Sequence, residues 1–286
     1  MADSAVTIAG PIDLGARVKL RFRGEDRVRF LNGQVSNDVR RVDDENVLPA
    51  CVCSLKGKLD ALVHITASGS GENQALLVDG PPELRADEAL FHRFDRYLIA
   101  DQVELDDVSE EFALWHFLPG VDRPDLPGAV WKSSQRFGVE GHDLWLTSDS
   151  ARELGSPSRL LQPDDAQVES FRIRHRSPVW GKELSSEILP AEARLDVSAV
   201  DFHKGCYTGQ EVISRIQSVG RVNRILCLLS VVEGQSLPAA GDELFPESIE
   251  ETSGKAVGRI TSVASDPDSD GELVLAYLRR GHDQSG

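Results

Sequence analysis

Cysteine is scarce in this chain and shows no pattern. Cys51, Cys53, Cys206 and Cys227 are the whole set, and their spacing sets out no disulfide framework. No apolar run reaches bilayer length, so no transmembrane helix is expected. The opening Met-Ala-Asp-Ser-Ala-Val has neither a basic start nor an apolar core, so no export signal is expected. These absences point to reduced thiols and a cytoplasmic setting. Positive charge is also short: 31 Lys and Arg stand against 47 Asp and Glu, for a net charge of −16. That balance argues against nonspecific nucleic-acid binding by the whole surface. No direct nucleic-acid partner and no membrane partner are expected. Internal repeats and low-complexity tracts are lacking too, and 286 residues can hold one large domain or two to three small ones.

What is present concentrates at Lys204-Gly205-Cys206-Tyr207-Thr208-Gly209-Gln210-Glu211. Two glycines permit a tight polar loop or a close backbone approach. Val212, Ile213, Ile216 and Val219 then recur at helical spacing. Thr208 is the expected N-cap, with Glu211 closing a capping box. Cys206 falls just before the positive end of that helix, flanked by Lys204 and His203, a setting that favours thiolate over thiol. The alternative is a small buried cysteine in an ordinary glycine turn.

Elsewhere the pattern reads as strands with a few helices. Residues 16–22 alternate as a strand that Gly24 ends, and Asp26 caps a short helix carrying Val28, Phe30 and Leu31. Residues 47–55 and 59–66 form a hairpin turned at Lys56-Gly57-Lys58. Cys51 and Cys53 then share one face, as core rather than metal ligands. Gln74–Val78 is a strand. A helix opens at Pro81-Pro82 and carries Leu84, Leu90, Phe91, Phe94 and Leu98. Strand alternation resumes from Val103 to Phe117. A loop covers 119–130, a strand pair turned at Gly141 covers 137–146, and a helix with a Ser-Pro loop follows around Ser150 to Leu154. From Gly220 a long strand, Val222–Val232, is followed by short strands near Leu244, Ala256–Val263 and Leu273–Leu278. Asp266-Pro267-Asp268-Ser269-Asp270-Gly271 imitates a calcium loop, but Tyr277 stands where a bidentate glutamate is needed, so it reads as a solvated acidic turn. Two basic clusters, Arg172/Arg174/His175/Arg176 and Arg215/Arg221/Arg224, suit an anionic ligand or a solvated face equally.

The string at 204–211 resembles the signature of the YgfZ family, within the superfamily of the glycine-cleavage T-protein, a tetrahydrofolate-dependent aminomethyltransferase. Three further segments are similar. Asn32–Val39 resembles Leu-x-x-x-x-Thr-Asn-Asp-Val, with Ser36 for the threonine; Asn37 and Asp38 are ligand contacts or a turn cap. Arg172–Gly181 resembles Arg-x-Glu-x-Gly-x-Pro-x-x-Gly, but Arg174 replaces the glutamate that holds the pterin. Lys255–Ser262 resembles the C-terminal barrel motif. Where aminomethyltransferases carry an acid pair, this chain has Asp60 alone, which weighs against aminomethyl transfer.

The resemblance implies an α+β fold: a T-protein-like folate-binding body of mixed antiparallel sheets over 1–221, then a small C-terminal β-barrel over 222–286. It implies tetrahydrofolate as cofactor. Iron–sulfur proteins or their assembly factors are the implied partners, and assembly or repair of such proteins, and through them tRNA modification, the implied function. Cys206 and Lys204 would be the reactive pair, with Gly205, Tyr207, Gly209, Gln210 and Glu211 completing the loop. Asn37, Asp38, Asp60, Arg172 and Arg215 would contact folate, with no metal site. The competing readings are a folate-dependent aminomethyltransferase or other one-carbon transferase, and a folate-binding module without chemistry. Whether the chain is an enzyme stays open.

Overall fold

A computed structural model describes residues 8, 10–153, 163–231, 238–246, 255–266 and 271–283. Among these residues the strands form three sheets, and every pairing between their named strands is antiparallel. The strands of the first sheet are β2 (Val18–Arg23), β3 (Leu48–Cys53), β4 (Leu59–Ser68), β5 (Ala75–Gly80) and β6 (Glu104–Asp107). Their order is β3-β4-β5-β2-β6. The second sheet has β1 (Ile12–Asp13), β7 (Phe112–Phe117), β8 (Val130–Ser134) and β9 (Gly141–Thr147) in the order β1-β7-β9-β8. The third has β10 (Arg224–Ser230), β11 (Glu243–Leu244), β12 (Gly258–Ser265) and β13 (Glu272–Arg279) in the order β10-β13-β12-β11. Thr261 is an extra residue in β12, left between Ile260↔Ala276 and Ser262↔Leu275. A bulge of this kind bends a strand and increases its twist.

In the first sheet, strands β3, β4 and β5 are largely buried on both faces and read as nearly continuous apolar runs, whereas β2 alternates apolar and basic residues and β6 is a partly exposed edge. One face, with Ala50, Val52, Ala61, Val63 and Ile65, packs on α1 (Arg27–Gln34) and α2 (Ala89–Asp95) through Phe30, Leu31, Leu90 and Phe94. The other presents Cys51, Cys53 and Leu59 to a second core. That core takes Ile173 from α4 (Asp165–Arg174), Tyr207, Ile213 from α5 (Gln210–Val219), and Leu226, Leu275 and Tyr277 from the third sheet. Cys51 and Cys53 thus share a buried face. Burial pushes the Cys51 thiol up to about 12 and raises Cys53 as well.

Several expectations are corrected. The helix expected from Pro81 to Leu98 is broken: a 3-10 segment over Pro82–Glu88 ends with Asp87 and Glu88 at positive φ, and only Ala89–Asp95 is α-helical. Gly141 does not turn a strand pair but starts β9, paired with Ser134 of β8. A Cβ there would lie 2.6 Å from His116 Nε2, which accounts for the glycine. α4 was not foreseen; Asp164 and Gln167 close a capping box at its start. The helix expected around Ser150 to Leu154 is α3 (Ser148–Glu153). Leu154, the Ser-Pro loop, the opening hexapeptide, Val232 and the middle of the acidic turn at 266–271 lie outside the described residues. Among the described residues no helix is long and apolar enough to cross a membrane.

Candidate functional site

Asn32–Val39 covers the last residues of α1 and the turn after it, and ties three parts of the chain together. Ser36 Oγ donates to Ala199 O at 2.6 Å and accepts from Cys51 N at 2.8 Å. Asn37 Nδ2 donates to Pro49 O at 2.8 Å and to Ser198 O at 3.3 Å. Asp38 caps the next 3-10 turn by accepting from Arg40 N at 3.1 Å, and it pairs with the Arg40 side chain. Asp38 therefore makes the local bonds of a cap, whereas the Asn37 amide ties the turn to the distant Pro49 and Ser198.

The signature loop docks on this hub. Asp201 Oδ1 accepts from His203 N and Lys204 N, and Thr208 N donates to Gly33 O. Lys204 is buried, and its ammonium donates to Asn32 O, Val35 O and Asn37 O at 2.6, 2.7 and 2.7 Å. These carbonyls lie at and just beyond the C-terminal end of α1, where helix carbonyls lack partners and a cation is favoured. Burial lowers the ammonium to about 8. Its charge is thus taken up inside the protein, whereas Cys206 is exposed at the surface. Tyr207 is buried beneath Lys204, whose Nζ lies 5.1 Å from the ring centroid, and burial raises its phenol.

The expected capping box at Thr208 does not form. α5 starts at Gln210, and its N-cap is Gly209 at φ +87°, with no side-chain cap. A Cβ on Gly209 would sit 2.5 Å from Ser54 O, so the loop meets the β3–β4 turn at a contact only glycine permits. Gly57 meets Val212 from the other side in the same way. Glu211 is left exposed in the first turn of α5, and Arg215 is exposed one turn on.

Two clefts stand out. One, of about 670 Å³, borders Glu169, Lys182, Glu183, Arg224 and Arg259. Most of its charges are already paired. Glu169 holds Arg172 and Lys182, Glu183 holds Arg172, and Arg224 holds Glu192. The other, of about 720 Å³, opens between β3–β4, the end of β8, the turn after α4 and the segment 193–200. Among the described residues no Asp or Glu lines it, in a chain with net charge −16. Arg41, Arg136, Arg176 and Arg194 line it, with His64 and His175. Arg176 and Arg194 both take positive φ, at +52° and +60°. Such strained backbone gathers at ligand sites.

Arg41 pairs with Asp201 at 3.6 Å, and Arg194 Nε donates to Leu226 O at 2.9 Å. Arg136 is held by two carboxylates. It is buried and donates to Asp79 at 2.9 and 2.5 Å and to Asp143 at 2.7 Å. Asp79 also pairs with Arg17, and Asp143 with His116 Nδ1 at 2.8 Å. Burial, then the Arg136 charge, pushes His64 well below its ordinary value, so it is a neutral imidazole. Two buried polar atoms of the lining, Ser134 Oγ and Asn46 Oδ1, have no partner among the described residues. Buried polar groups are nearly always paired, so such atoms call for an explanation.

Of the five expected folate contacts, Asn37 alone lines this cleft. The β3–β4 register skips Asp60 between Val52↔Ala61 and Cys53↔Leu59, and Asp60 accepts from Arg93 Nε at 2.7 Å. Arg172 is buried among Glu169, Glu183, Ser177 O and Ser262. Arg174 pairs with Asp266. His175 and Arg176 are the members of the first basic cluster that reach the cleft. Arg41, His64, Ser134, Arg136 and Arg194 were not foreseen; they are scattered in sequence and only the fold assembles them. Among the described residues no three His, Cys, Asp or Glu side chains form a group that could hold a metal.

No protein-family model matches the chain. The tRNA-modifying protein YgfZ of Aliivibrio fischeri is 27% identical over 77% of this chain and 70% of its own length. A mitochondrial iron–sulfur cluster assembly factor homologue of Dictyostelium discoideum is 24% identical over 96% of this chain and 76% of its own. An aminomethyltransferase of Bacillus subtilis is 22% identical over 95% of this chain and 80% of its own. The chain spans 65% of the length of a chloroplast relative from Arabidopsis thaliana. The crystal structure of glycine cleavage system aminomethyltransferase T from Bartonella henselae superposes with a TM-score of 0.77 at 17% identity, covering 96% of this chain and 79% of that one. Fold, signature and relatives agree: the chain is similar to the YgfZ proteins and has the fold of the glycine-cleavage T-protein.

Proposed function

We propose that the protein is a tetrahydrofolate-binding factor supporting assembly or repair of iron–sulfur proteins and, through them, tRNA modification. In this reading residues 1–221 form the folate-binding domain, 222–286 form the C-terminal β-domain, and Cys206 is the reactive group. The observation that carries it is the acid-free, arginine-lined cleft. Tetrahydrofolate pairs a flat polar ring with a dianionic glutamate tail. Arg41, Arg176 and Arg194 suit the tail, and the apolar Val47, Leu48, Leu62 and Leu195 suit the middle. The names of the Aliivibrio and Dictyostelium relatives, a tRNA-modifying protein and an iron–sulfur cluster assembly factor homologue, support the iron–sulfur and tRNA part. Lys204 serves by holding the loop that presents Cys206.

Aminomethyl transfer fits less well, because Asp60 is engaged by Arg93 and no Asp or Glu lines the cleft among the described residues. A ligand that binds only the folded state must stabilise it, by about 2.7 kcal/mol at a hundred times Kd. Tetrahydrofolate is expected to raise the melting temperature, and Cys206→Ala to bind it equally well yet fail to restore iron–sulfur enzyme activity in a deletion strain. No shift at millimolar ligand would overturn the folate assignment; full rescue by Cys206→Ala would reduce the loop to architecture.

A further inference from the structure

We propose that Arg176 and Arg194, two arginines held where the backbone calls for glycine, form a carboxylate clamp at one end of this cleft and select the ligand by its two tail carboxylates. The inference rests on the folate reading above and adds which residues grip the tail and what they cost the free protein.

The backbone at both positions is set by local hydrogen bonds. α4 ends with Ser177 N donating to Arg172 O at 2.8 Å and Arg176 N donating to Ile173 O at 3.0 Å. That pair of bonds puts the residue just past the helix in the left-handed region, where glycine is usual. Arg176 occupies it. In the related pattern Arg-x-Glu-x-Gly-x-Pro-x-x-Gly, matched over Arg172–Gly181, this place is the first glycine. The turn at 190–195 repeats the arrangement. Leu195 N donates to Pro190 O at 2.9 Å and Arg194 N to Ala191 O at 3.4 Å, with Arg194 left-handed. Of the four non-glycine residues at positive φ among the described residues, these are the two in the cleft. The hydrogen bonds fix φ, but glycine or asparagine would meet it with less strain.

The side chains supply the reason for arginine. Both residues are exposed and line the cleft. Arg194 spends only Nε inside the protein, on Leu226 O, and among the described residues no carboxylate pairs with either guanidinium. The nearby Asp283 accepts from Gly281 N at 2.9 Å and does not line the cleft. Burial raises the Cys227 thiol, while Arg194 and Arg176 both act on it in the opposite sense, so the two cations come close to one sulfur. A guanidinium grips a carboxylate through two parallel hydrogen bonds. Two of them match the two carboxylates that end the tail.

The test is calorimetry on the full chain with tetrahydrofolate and with tetrahydropteroate, which keeps the ring and the benzoyl group but has no glutamate. Tetrahydrofolate is expected to bind at least about tenfold more tightly. Arg176→Asn is expected to weaken tetrahydrofolate about tenfold and tetrahydropteroate much less. It should leave the melting temperature of the free protein unchanged or higher, because asparagine tolerates the left-handed backbone. Arg176→Lys keeps the charge and the strain but loses the fork, and is expected to fall between. Arg194→Asn is expected to weaken tetrahydrofolate to a similar degree. Equal affinity of the unaltered protein for the two ligands, or full affinity for tetrahydrofolate in both asparagine variants, would overturn this inference and leave the folate reading standing. So would a lower melting temperature for Arg176→Asn, which would assign that side chain to the fold. Failure to bind tetrahydrofolate would sink both.

Discussion

At the residue scale, Lys204 is the most informative side chain. Its position beside Cys206 in sequence suggests a charge that activates a thiol. In the fold its three donors are matched by three main-chain carbonyls, and its work is to close α1 and the hub against the loop. Lys204→Met would remove the charge and leave those carbonyls unsatisfied. An unpaired buried acceptor costs about 1–3 kcal/mol, so a loss of about 2–4 kcal/mol is expected, with some carbonyls recovering water. Urea denaturation measures it, and a loss under about 1 kcal/mol would show that the clamp adds little. The sequence could not show this, because a lysine's carbonyl partners 167 to 172 residues away leave no local pattern. Cys206, by contrast, was legible as a candidate from its loop alone, and the structure places it at the surface.

At the scale of elements, the strands were the readable part. The β3–β4 hairpin, the buried face of Cys51 and Cys53 and the branched run at β10 all follow from alternation and composition. The errors fell where a special backbone conformation decides. Left-handed Asp87 and Glu88 break the expected helix, and left-handed Gly209 displaces Thr208 as cap. Neither change alters the apolar pattern, so periodicity is blind to both. The signature glycines separate on the same grounds. Gly209→Ala strains the backbone by about 1–3 kcal/mol and drives a Cβ toward Ser54 O. Gly205 lacks a positive φ, and a Cβ there meets nothing within 4 Å. Gly209→Ala is expected to destabilise the protein markedly and Gly205→Ala hardly at all, as read from denaturant midpoints. Equal effects would mean the loop does not dock as described.

At the scale of the whole molecule, a buried chain of ion pairs and hydrogen bonds joins the first two sheets: Arg17, Asp79, Arg136, Asp143 and His116, with His64 beside it. Burial alone would raise both carboxyls, but Arg136 outweighs it, helped by Arg17 at Asp79 and His116 at Asp143, and holds them below the usual carboxylate range. His64 is held low in the opposite sense, as a base that stays unprotonated. The unfolded chain takes a proton on this imidazole near about pH 6.5 while the folded chain does not, so stability falls as pH drops through that region. Below about pH 4 the unfolded carboxyls also protonate before the folded ones, and stability falls further. Urea midpoints are therefore expected to decline in two stages. His64→Asn should flatten the first, leaving a smaller contribution from His142, whose burial also lowers it. An unaltered first stage in that variant would assign it to other groups.

The hub has a consequence for how the protein is made. Ser36 and Lys204 join stretches of chain more than 160 residues apart. Synthesis runs from the N-terminus at about 5–20 residues per second, so roughly ten to thirty seconds separate the two sides of each bond. Through that interval the nascent chain carries Cys51 and Cys53 on a sheet face that Tyr207, Ile213 and Leu275 have yet to cover. Two thiols that the finished protein buries are thus the first to meet the oxidants of the cell. The thiol it leaves exposed, Cys206, emerges only as that cover is being completed.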